Sequence, residues 1–208
     1  MTTDVFRSAM YEALRPFLEA QRDKFAEAAE VSGTALVDEF GFSKERVSNL
    51  RLPVYDLMAP PTHGPWAERA GTYDLVLIDQ VLEHVPAPCT AIDRLRKLLR
   101  PGGWAVVTTV FMFPIHDDDT SGDYFRFSPR ALRGLFPSTF WVEVRVGTWG
   151  SREALRHLAE WRKNNRDPAL AGLAATNEPD VPIMVWAVAR KAPERAPPEP
   201  HSGSRLGR

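Results

Sequence analysis

The sequence has little of several features that would assign it to a special class of protein. Cys89 is the single cysteine among 208 residues, so no disulfide forms within the chain, which favours a reducing compartment. No apolar run approaches the roughly 20 residues that span a bilayer, and the first residues lack the charged start and apolar core of a secretion signal. A net charge of -1 attracts neither nucleic acid nor anionic membranes. These absences predict a cytoplasmic protein without nucleic-acid or membrane partners.

The composition is that of a globular domain. Hydrophobic residues make up 44% of the chain and charged residues 25%, a balance that allows one substantial core in a chain of this length. We predict a single domain over residues 1–191. Residues 192–208 are rich in proline, glycine, serine and charge, which predicts a disordered tail.

The stretch from Tyr73 to His116 carries the strongest structural pattern. Its first part, YDLVLID, is a short apolar run that predicts a strand buried on both faces, as in a parallel sheet. Apolar residues then recur at helical spacing over residues 91–100, and Pro-Gly-Gly at 101–103 is expected to end that helix. The run WAVVTTVFMF predicts a second buried strand. Together these elements form a βαβ unit.

Weaker patterns predict the remaining elements. A helix is expected over residues 4–25, interrupted or kinked near Pro16, and either packed on the sheet or covering the site. Ser128 followed by Pro129 is a strong helix start. Further strands are expected from residue 47 to near Pro53, at 140–150 and at 181–191, and a helix at 151–163.

The motifs of residues 73–116 resemble those of class I S-adenosylmethionine-dependent methyltransferases. YDLVLIDQVLEHV is similar to the fourth strand of that family with its loop, and LLRPGGWAVVTT to the following helix end and fifth strand. D-Y-x-R-F and N-E-P-D-x-P-x-x-V-W-A extend a weaker likeness to the short bacterial, type 11 members as far as Lys191. The resemblance covers most of the predicted domain.

The resemblance implies a Rossmann-like α/β methyltransferase fold. Such a fold has a mostly parallel central sheet, helices on both faces and an antiparallel C-terminal strand pair. Only 39 residues separate Gly33 from Tyr73, fewer than two βα units of ~30 residues each need. One N-terminal βα element is therefore expected to be shortened or missing.

S-adenosylmethionine is the cofactor that the resemblance implies. Glu30, Ser32 and Gly33 stand where the family has its acidic residue and glycine-rich turn, although the glycine pattern is degenerate and an ordinary turn is the alternative. Asp56 lies 23 residues after Gly33, near the offset at which an acidic side chain reaches the ribose or adenine. Asp79 and Gln80 follow the central strand, where ligands of open α/β sheets collect.

The predicted catalytic residues are His116, His84 and Glu83. They follow the two central strands, and an imidazole with an unperturbed pKa near 6.5 can accept a proton at neutral pH. His116 is the first candidate for the base and His84 the second. The alternative is structural: Glu83 caps the next helix, and His84 is a hydrogen-bonded core histidine.

The loop after the fifth strand of the family normally borders the acceptor. The predicted substrate-binding residues are Asp123, Tyr124, Arg126 and Trp149. Arg126 can bind a carboxylate or phosphate through its planar fork, and a salt bridge to Asp123 is the alternative. Residues 117–119 are consecutive aspartates that point in different directions, so we predict a solvated loop and no metal site.

The predicted function is methyl transfer from S-adenosylmethionine to an oxygen or nitrogen of a small polar acceptor, such as a sugar or a natural-product intermediate. A homodimer is possible. The degenerate turn near Gly33 motivates an alternative, a relative of the family that has lost cofactor binding and serves as a partner subunit or scaffold. A third possibility is a ligand-binding pocket with chemistry other than methyl transfer, because a fold does not fix a function.

Overall fold

The computed structural model describes residues 4–31, 33–51, 57–58, 65–116, 122–159 and 170–193. Helices and strands alternate along these residues. Their bounds are α1 Val5–Arg22, β1 Ala28–Val31, α2 Ala35–Phe40, β2 Val47–Leu50, α3 Pro65–Glu68, β3 Tyr73–Asp79, α4 Pro88–Leu98, β4 Leu99–Val110, α5 Pro129–Gly134, β5 Trp141–Trp149, α6 Arg152–Ala159, α7 Ala171–Ala174 and β6 Met184–Lys191.

The six strands form one sheet in the order β2-β1-β3-β4-β6-β5. The neighbouring strands β2, β1, β3 and β4 are parallel, whereas β6 runs antiparallel to both β4 and β5. This confirms the predicted α/β fold with a mostly parallel sheet and an antiparallel C-terminal pair. The N-terminal elements are short, as expected, since β1 and β2 each have 4 residues and α2 has 6.

Helices cover both faces of the sheet because side chains alternate across each strand. From β3, Val76 and Ile78 enter a core beneath α4 and α5. Leu75 and Leu77 point the other way, into a core shared with α1, α2 and α6. A strand buried on both faces explains why YDLVLID reads as a continuous apolar run.

Helix α1 is continuous from Val5 to Arg22 with Pro16 inside it, so of the interruption or kink predicted near Pro16 the interruption is wrong. Five of its side chains are fully buried against the sheet, namely Phe6, Met10, Tyr11, Leu14 and Leu18. Packing on both sides of Pro16 holds the helix together although the proline lacks one N–H donor. Asp4 caps the start, since its carboxylate accepts from the backbone N–H groups of Phe6 and Arg7.

The sequence predicted that the Pro-Gly-Gly segment ends helix α4, and this prediction is wrong. The helix ends at Leu98, and strand β4 begins at Leu99 and runs through the three residues. The register with β3 shifts there, because Leu99 pairs with Tyr73 and the regular ladder resumes at Trp104. A Cβ at Gly103 would lie 3.0–3.1 Å from three backbone oxygens, so glycine is needed for this bulge rather than for a helix cap.

Other predicted elements occur close to their expected positions. Ser128 is the N-cap of α5, and its hydroxyl accepts from the backbone N–H of Ala131. Among the described residues, no helix combines the length and apolarity needed to cross a bilayer. The predicted tail falls outside the described residues beyond residue 193.

Candidate active site

The candidate site lies at the carboxyl edge of the parallel strands, where β1, β3 and β4 end side by side. Asp79, the last residue of β3, pairs with Thr108 of β4. Buried polar side chains gather here, namely Glu30, Asp79, Glu83, Thr108 and Thr109, each at most 8% exposed. Buried polar groups concentrate where ligands bind in open α/β sheets, so this edge is the candidate functional site.

Asp79 is the centre of a network that ties helix α1 to the sheet. Its carboxylate forms an ion pair with Arg7 and accepts from the hydroxyls of Tyr11, at 2.6 Å, and of Thr108. Arg7 and Tyr11 are one turn apart on α1, so both reach the same carboxylate. Asp79 was predicted to contact the cofactor, and the structure commits this carboxylate to internal donors.

Gln80 takes an unusual backbone conformation immediately after β3. Its φ of 53° is the single positive value at a non-glycine position among the described residues. The backbone N–H and the side-chain amide both donate to the hydroxyl oxygen of Thr108 at 3.1 Å. Left-handed backbone at a non-glycine residue costs free energy and concentrates at functional sites. The geometry turns the chain sharply at the ligand-binding edge.

Glu30 and Gly33 flank the turn between β1 and α2. The Glu30 carboxylate is 1% exposed and accepts from the backbone N–H groups of Leu36 and Val37 at 3.0 and 2.9 Å. A Cβ placed on Gly33 would lie 3.9 Å from the backbone nitrogen of Ala35 and from Oε1 of Glu30, which is ordinary van der Waals contact. Ser32 and Asp56, also predicted to bind the cofactor, lie outside the described residues.

Burial raises the pKa of Glu30 to about 7, and we expect this to make stability depend on pH. Because the folded pKa exceeds the unfolded one, the folded state binds more protons, and the free energy of unfolding falls as pH rises through 7. The loss from this group is roughly 2 kcal/mol between pH 5 and 7. Urea unfolding of wild type and Glu30→Gln at several pH values measures the difference.

A matched control is Glu27→Gln, because Glu27 is exposed on the same segment. The Glu27→Gln curve should run parallel to that of the wild type, and the Glu30→Gln curve should be flatter by the stated amount. Equal pH slopes in wild type and Glu30→Gln would show that Glu30 keeps an ordinary titration in the folded protein.

Glu83 lies in a short 3-10 turn that follows β3 and is fully buried. One carboxylate oxygen, Oε2, accepts from the hydroxyl of Thr109 at 2.7 Å, whereas Oε1 has no hydrogen-bond partner. Burial raises the pKa of this carboxyl. Its backbone carbonyl accepts from the N–H groups of Tyr124 and Phe125. These hydrogen bonds connect Glu83 to the loop after β4 rather than to the helix that it was alternatively expected to cap.

His84 and His116 lie next to Glu83, with their ring centroids 4.9 Å apart. Nδ1 of His84 is 2.7 Å from the carbonyl oxygen of Gly122, and Nδ1 of His116 is 3.1 Å from that of Pro114. A carbonyl oxygen only accepts, so each Nδ1 carries the hydrogen in a neutral ring and each Nε2 keeps its lone pair. Nε2 of His116 is 3.9 Å from Oε1 of Glu83. The structure thus brings the three predicted catalytic side chains together.

Asp123 and Arg126 form a structural pair. Arg126 binds both oxygens of the Asp123 carboxylate and also donates to the carbonyls of Phe113 and Pro114. This ion pair, with Arg126 as its main cause, lowers the pKa of Asp123 to about 2. Asp123 also accepts from the backbone N–H of His116 at 2.8 Å, so the pair fixes the histidine. The salt-bridge alternative for Arg126 is what the structure contains.

The other two predicted substrate residues have different settings. Tyr124 is 55% exposed, and together with exposed Ile115 and Phe125 it forms an apolar rim beside the histidines. Trp149 is 3% exposed and stacks on Phe6 of α1 at 5.4 Å between ring centroids. The rim is open to a ligand, whereas Trp149 belongs to the core beneath α1.

Sequence reasoning missed four residues of this site, namely Arg7, Tyr11, Thr108 and Thr109. The threonine pair near the end of an apolar strand was a usable signal, because buried hydroxyls need partners. Helix α1 gave no comparable sequence signal, since a polar Arg7 one turn from Tyr11 is ordinary on an exposed helix face.

The chain belongs to a methyltransferase domain family. The family profile matches residues 17–166, which is more than half of the 208 residues. This confirms the resemblance drawn from the motifs. S-adenosylmethionine is the cofactor of the class to which the domain belongs.

Solved structures share the fold over most of the chain. An S-adenosylmethionine-dependent methyltransferase from Archaeoglobus fulgidus is 13% identical, with a TM-score of 0.53, over 89% of this chain and 94% of that one. A methyltransferase from Mesorhizobium loti dependent on the same cofactor is 16% identical, with a TM-score of 0.51, over 88% and 97%. These likenesses concern the fold.

Among curated proteins, the matches are local. A ubiquinone biosynthesis O-methyltransferase from Paraburkholderia xenovorans is 43% identical over 44 residues, which is 21% of this chain and 19% of that protein. One from Bordetella pertussis is 38% identical over 55 residues, or 26% and 23%. The matched segments span about a fifth of the length of these relatives.

Proposed function

We propose that this protein transfers a methyl group from S-adenosylmethionine to a hydroxyl oxygen of a small molecule. The observation that carries the proposal is the group of Glu83, His84 and His116 at the carboxyl edge, with both Nε2 lone pairs free of protein donors among the described residues. An acceptor hydroxyl must lose its proton as it is methylated, and these atoms can take it. The relatives named O-methyltransferase support oxygen as the methylated atom.

The residues at the N-terminal half of the edge fit a bound cofactor. Gly33 follows β1 and half-buried Gln80 follows the neighbouring parallel strand β3, so both lie at the carboxyl edge of the sheet. When bound, the cofactor supplies an activated methyl group. The chain contributes alignment and a site for the acceptor's proton, which suffices because methyl transfer needs little covalent chemistry from the protein.

The apolar rim argues for the kind of acceptor. Ile115, Tyr124 and Phe125 expose large apolar surfaces next to the histidines, with Ile115 being 78% exposed. Exposed apolar and aromatic side chains bury an apolar or aromatic frame favourably, and none of these three side chains offers a charged group to a polar acceptor. Arg126 has its donors engaged, so a charged acceptor gains little from it. We infer a natural-product intermediate with an apolar or aromatic frame.

Cofactor binding is the first test. Calorimetric titration with S-adenosylhomocysteine should give a Kd in the micromolar range, about -8 kcal/mol. Gly33→Trp should abolish binding, because a bulky indole on the turn after β1 would occupy the space where we place the cofactor. Gly134→Trp is the matched control, since a Cβ on that glycine meets nothing within 4 Å and the residue lies in α5.

One outcome would contradict the enzyme proposal, namely the absence of binding of both S-adenosylmethionine and S-adenosylhomocysteine to the folded protein. That result would favour the alternative of a relative that keeps the fold and serves as a partner subunit. Equal binding by wild type and Gly33→Trp would instead show that the turn at Gly33 is not part of the cofactor site.

A further inference from the structure

The group of Glu83, His84 and His116 contains more acceptors than donors. Their ligand atoms, one from each side chain, lie within 4.8 Å of one another. In neutral rings both Nε2 atoms carry lone pairs, and Oε1 of Glu83 is buried without a hydrogen-bond partner. Lone-pair atoms held this close together repel unless a proton or a metal cation lies between them.

The surroundings of these side chains match those of metal ligands. Metal-binding histidines nearly always donate their other N–H to a carbonyl or carboxylate, which fixes the ring. His84 does so to Gly122, and His116 does so to Pro114 with Asp123 at 3.3 Å. The second oxygen of Glu83 accepts from Thr109, as carboxylate ligands usually do. The orientation of all three ligands is therefore set by neighbouring residues.

We propose that Glu83, His84 and His116 bind one divalent transition-metal ion, with zinc as the best match. Two imidazole nitrogens and a carboxylate oxygen are the ligands of catalytic zinc sites, which keep a further position open. Magnesium and calcium prefer oxygen ligands alone. The sequence predicted no metal site. The consecutive aspartates at 117–119 were the visible candidate ligands, whereas the ligands of this site come together only through tertiary contacts.

The role of the ion rests on the proposed methyl transfer, whereas its binding does not. An ion here would hold the acceptor oxygen at its open position and lower the pKa of that hydroxyl, and the proton would leave to solvent water because both Nε2 atoms and Oε1 of Glu83 would be ligands of the ion. His116 would then be a metal ligand, and in the metal-free protein its Nε2 would be the proton acceptor. Both forms use the same three side chains.

The test is metal binding by the full-length protein, measured without cofactor or acceptor. The protein is first stripped with a chelator, and Zn²⁺ is then titrated by calorimetry, with Co²⁺ followed by its visible absorption. We expect one ion per chain, and Glu83→Gln, His84→Ala and His116→Ala should each weaken binding at least tenfold. The Co²⁺ spectrum should change in each of these variants.

His157→Ala is the matched control, because His157 lies on α6, with its ring 6.2 Å from Phe6 in the opposite core. It should bind Zn²⁺ as the wild type does. The proposal is overturned if the wild type binds no stoichiometric ion, or if the three cluster variants keep wild-type affinity. Circular dichroism verifies folding, and should Glu83→Gln unfold, the variants of the two half-buried histidines still decide the question.

Binding of S-adenosylhomocysteine separates this inference from the proposed function. The chelated protein should still bind that ligand, since Gly33 and Gln80 follow the neighbouring strands β1 and β3 and are not among the metal ligands. If the wild type binds Zn²⁺ but not S-adenosylhomocysteine, the enzyme proposal alone is contradicted. If it binds S-adenosylhomocysteine but not Zn²⁺, this inference is contradicted and His116 remains the base.

Discussion

Replacing His116 with alanine is expected to lower the rate of methyl transfer by about two to four orders of magnitude. The side chain brings a lone pair to the acceptor side of the site, and the backbone and carboxylate of neighbouring residues hold it there. Without it the acceptor hydroxyl keeps its proton during attack. The effect should fall on kcat more than on KM, because proton removal matters in the transition state.

The measurement is transfer of labelled methyl from S-adenosylmethionine to an acceptor found by screening hydroxylated apolar compounds. His157→Ala is again the control, and its rate should equal that of the wild type. A His116→Ala protein that stays folded and turns over at the wild-type rate across pH would remove His116 from the mechanism. His84→Ala, tested alongside, ranks the two histidines.

Replacing Arg7 with leucine is expected to lower the free energy of unfolding by about 3 kcal/mol, near the low end for a broken buried ion pair. Asp79, whose side chain is 3% exposed, would lose its ion pair and retain only the hydroxyls of Tyr11 and Thr108 as donors. Those hydroxyls reduce the cost without removing it. Urea unfolding followed by circular dichroism measures the change.

Two further variants sharpen this prediction. Arg15→Leu, on the same helix, removes partly exposed ion pairs with glutamates and should cost less than ~1 kcal/mol. Adding Asp79→Asn to Arg7→Leu should recover part of the loss, because no uncompensated charge then remains. If Arg7→Leu lies within 1 kcal/mol of wild type, the ion pair contributes no more than a surface pair.

The network around Asp79 also bears on function. Helix α1 was expected either to pack on the sheet or to cover the site, and the structure shows it packed on the sheet. Its apolar side chains enter the core, while Arg7 and Tyr11 reach the end of β3. Loosening this contact should therefore affect stability and ligand binding together.

Local patterns determined most of the architecture. The apolar run at β3, the helical spacing in α4 and the Ser128-Pro129 start depend on residues close in sequence, and each was predicted from the sequence. Boundaries were less predictable. The Pro-Gly-Gly segment could end a helix or form a bulge, and pairing of β4 with β3 decided for the bulge.

The sequence by itself determined that Glu83 and His84 would follow one central strand and that His116 would follow the next, within the stretch that carries the family motifs. Only the tertiary structure decided what these residues contact. Pairs such as Arg7 with Asp79, or Thr109 with Glu83, are 72 and 26 residues apart, and nothing local links them. Parallel strands bring their carboxyl ends to one edge whatever the length of the intervening chain. The site is therefore a property of the sheet, whereas the elements that build it are properties of the sequence.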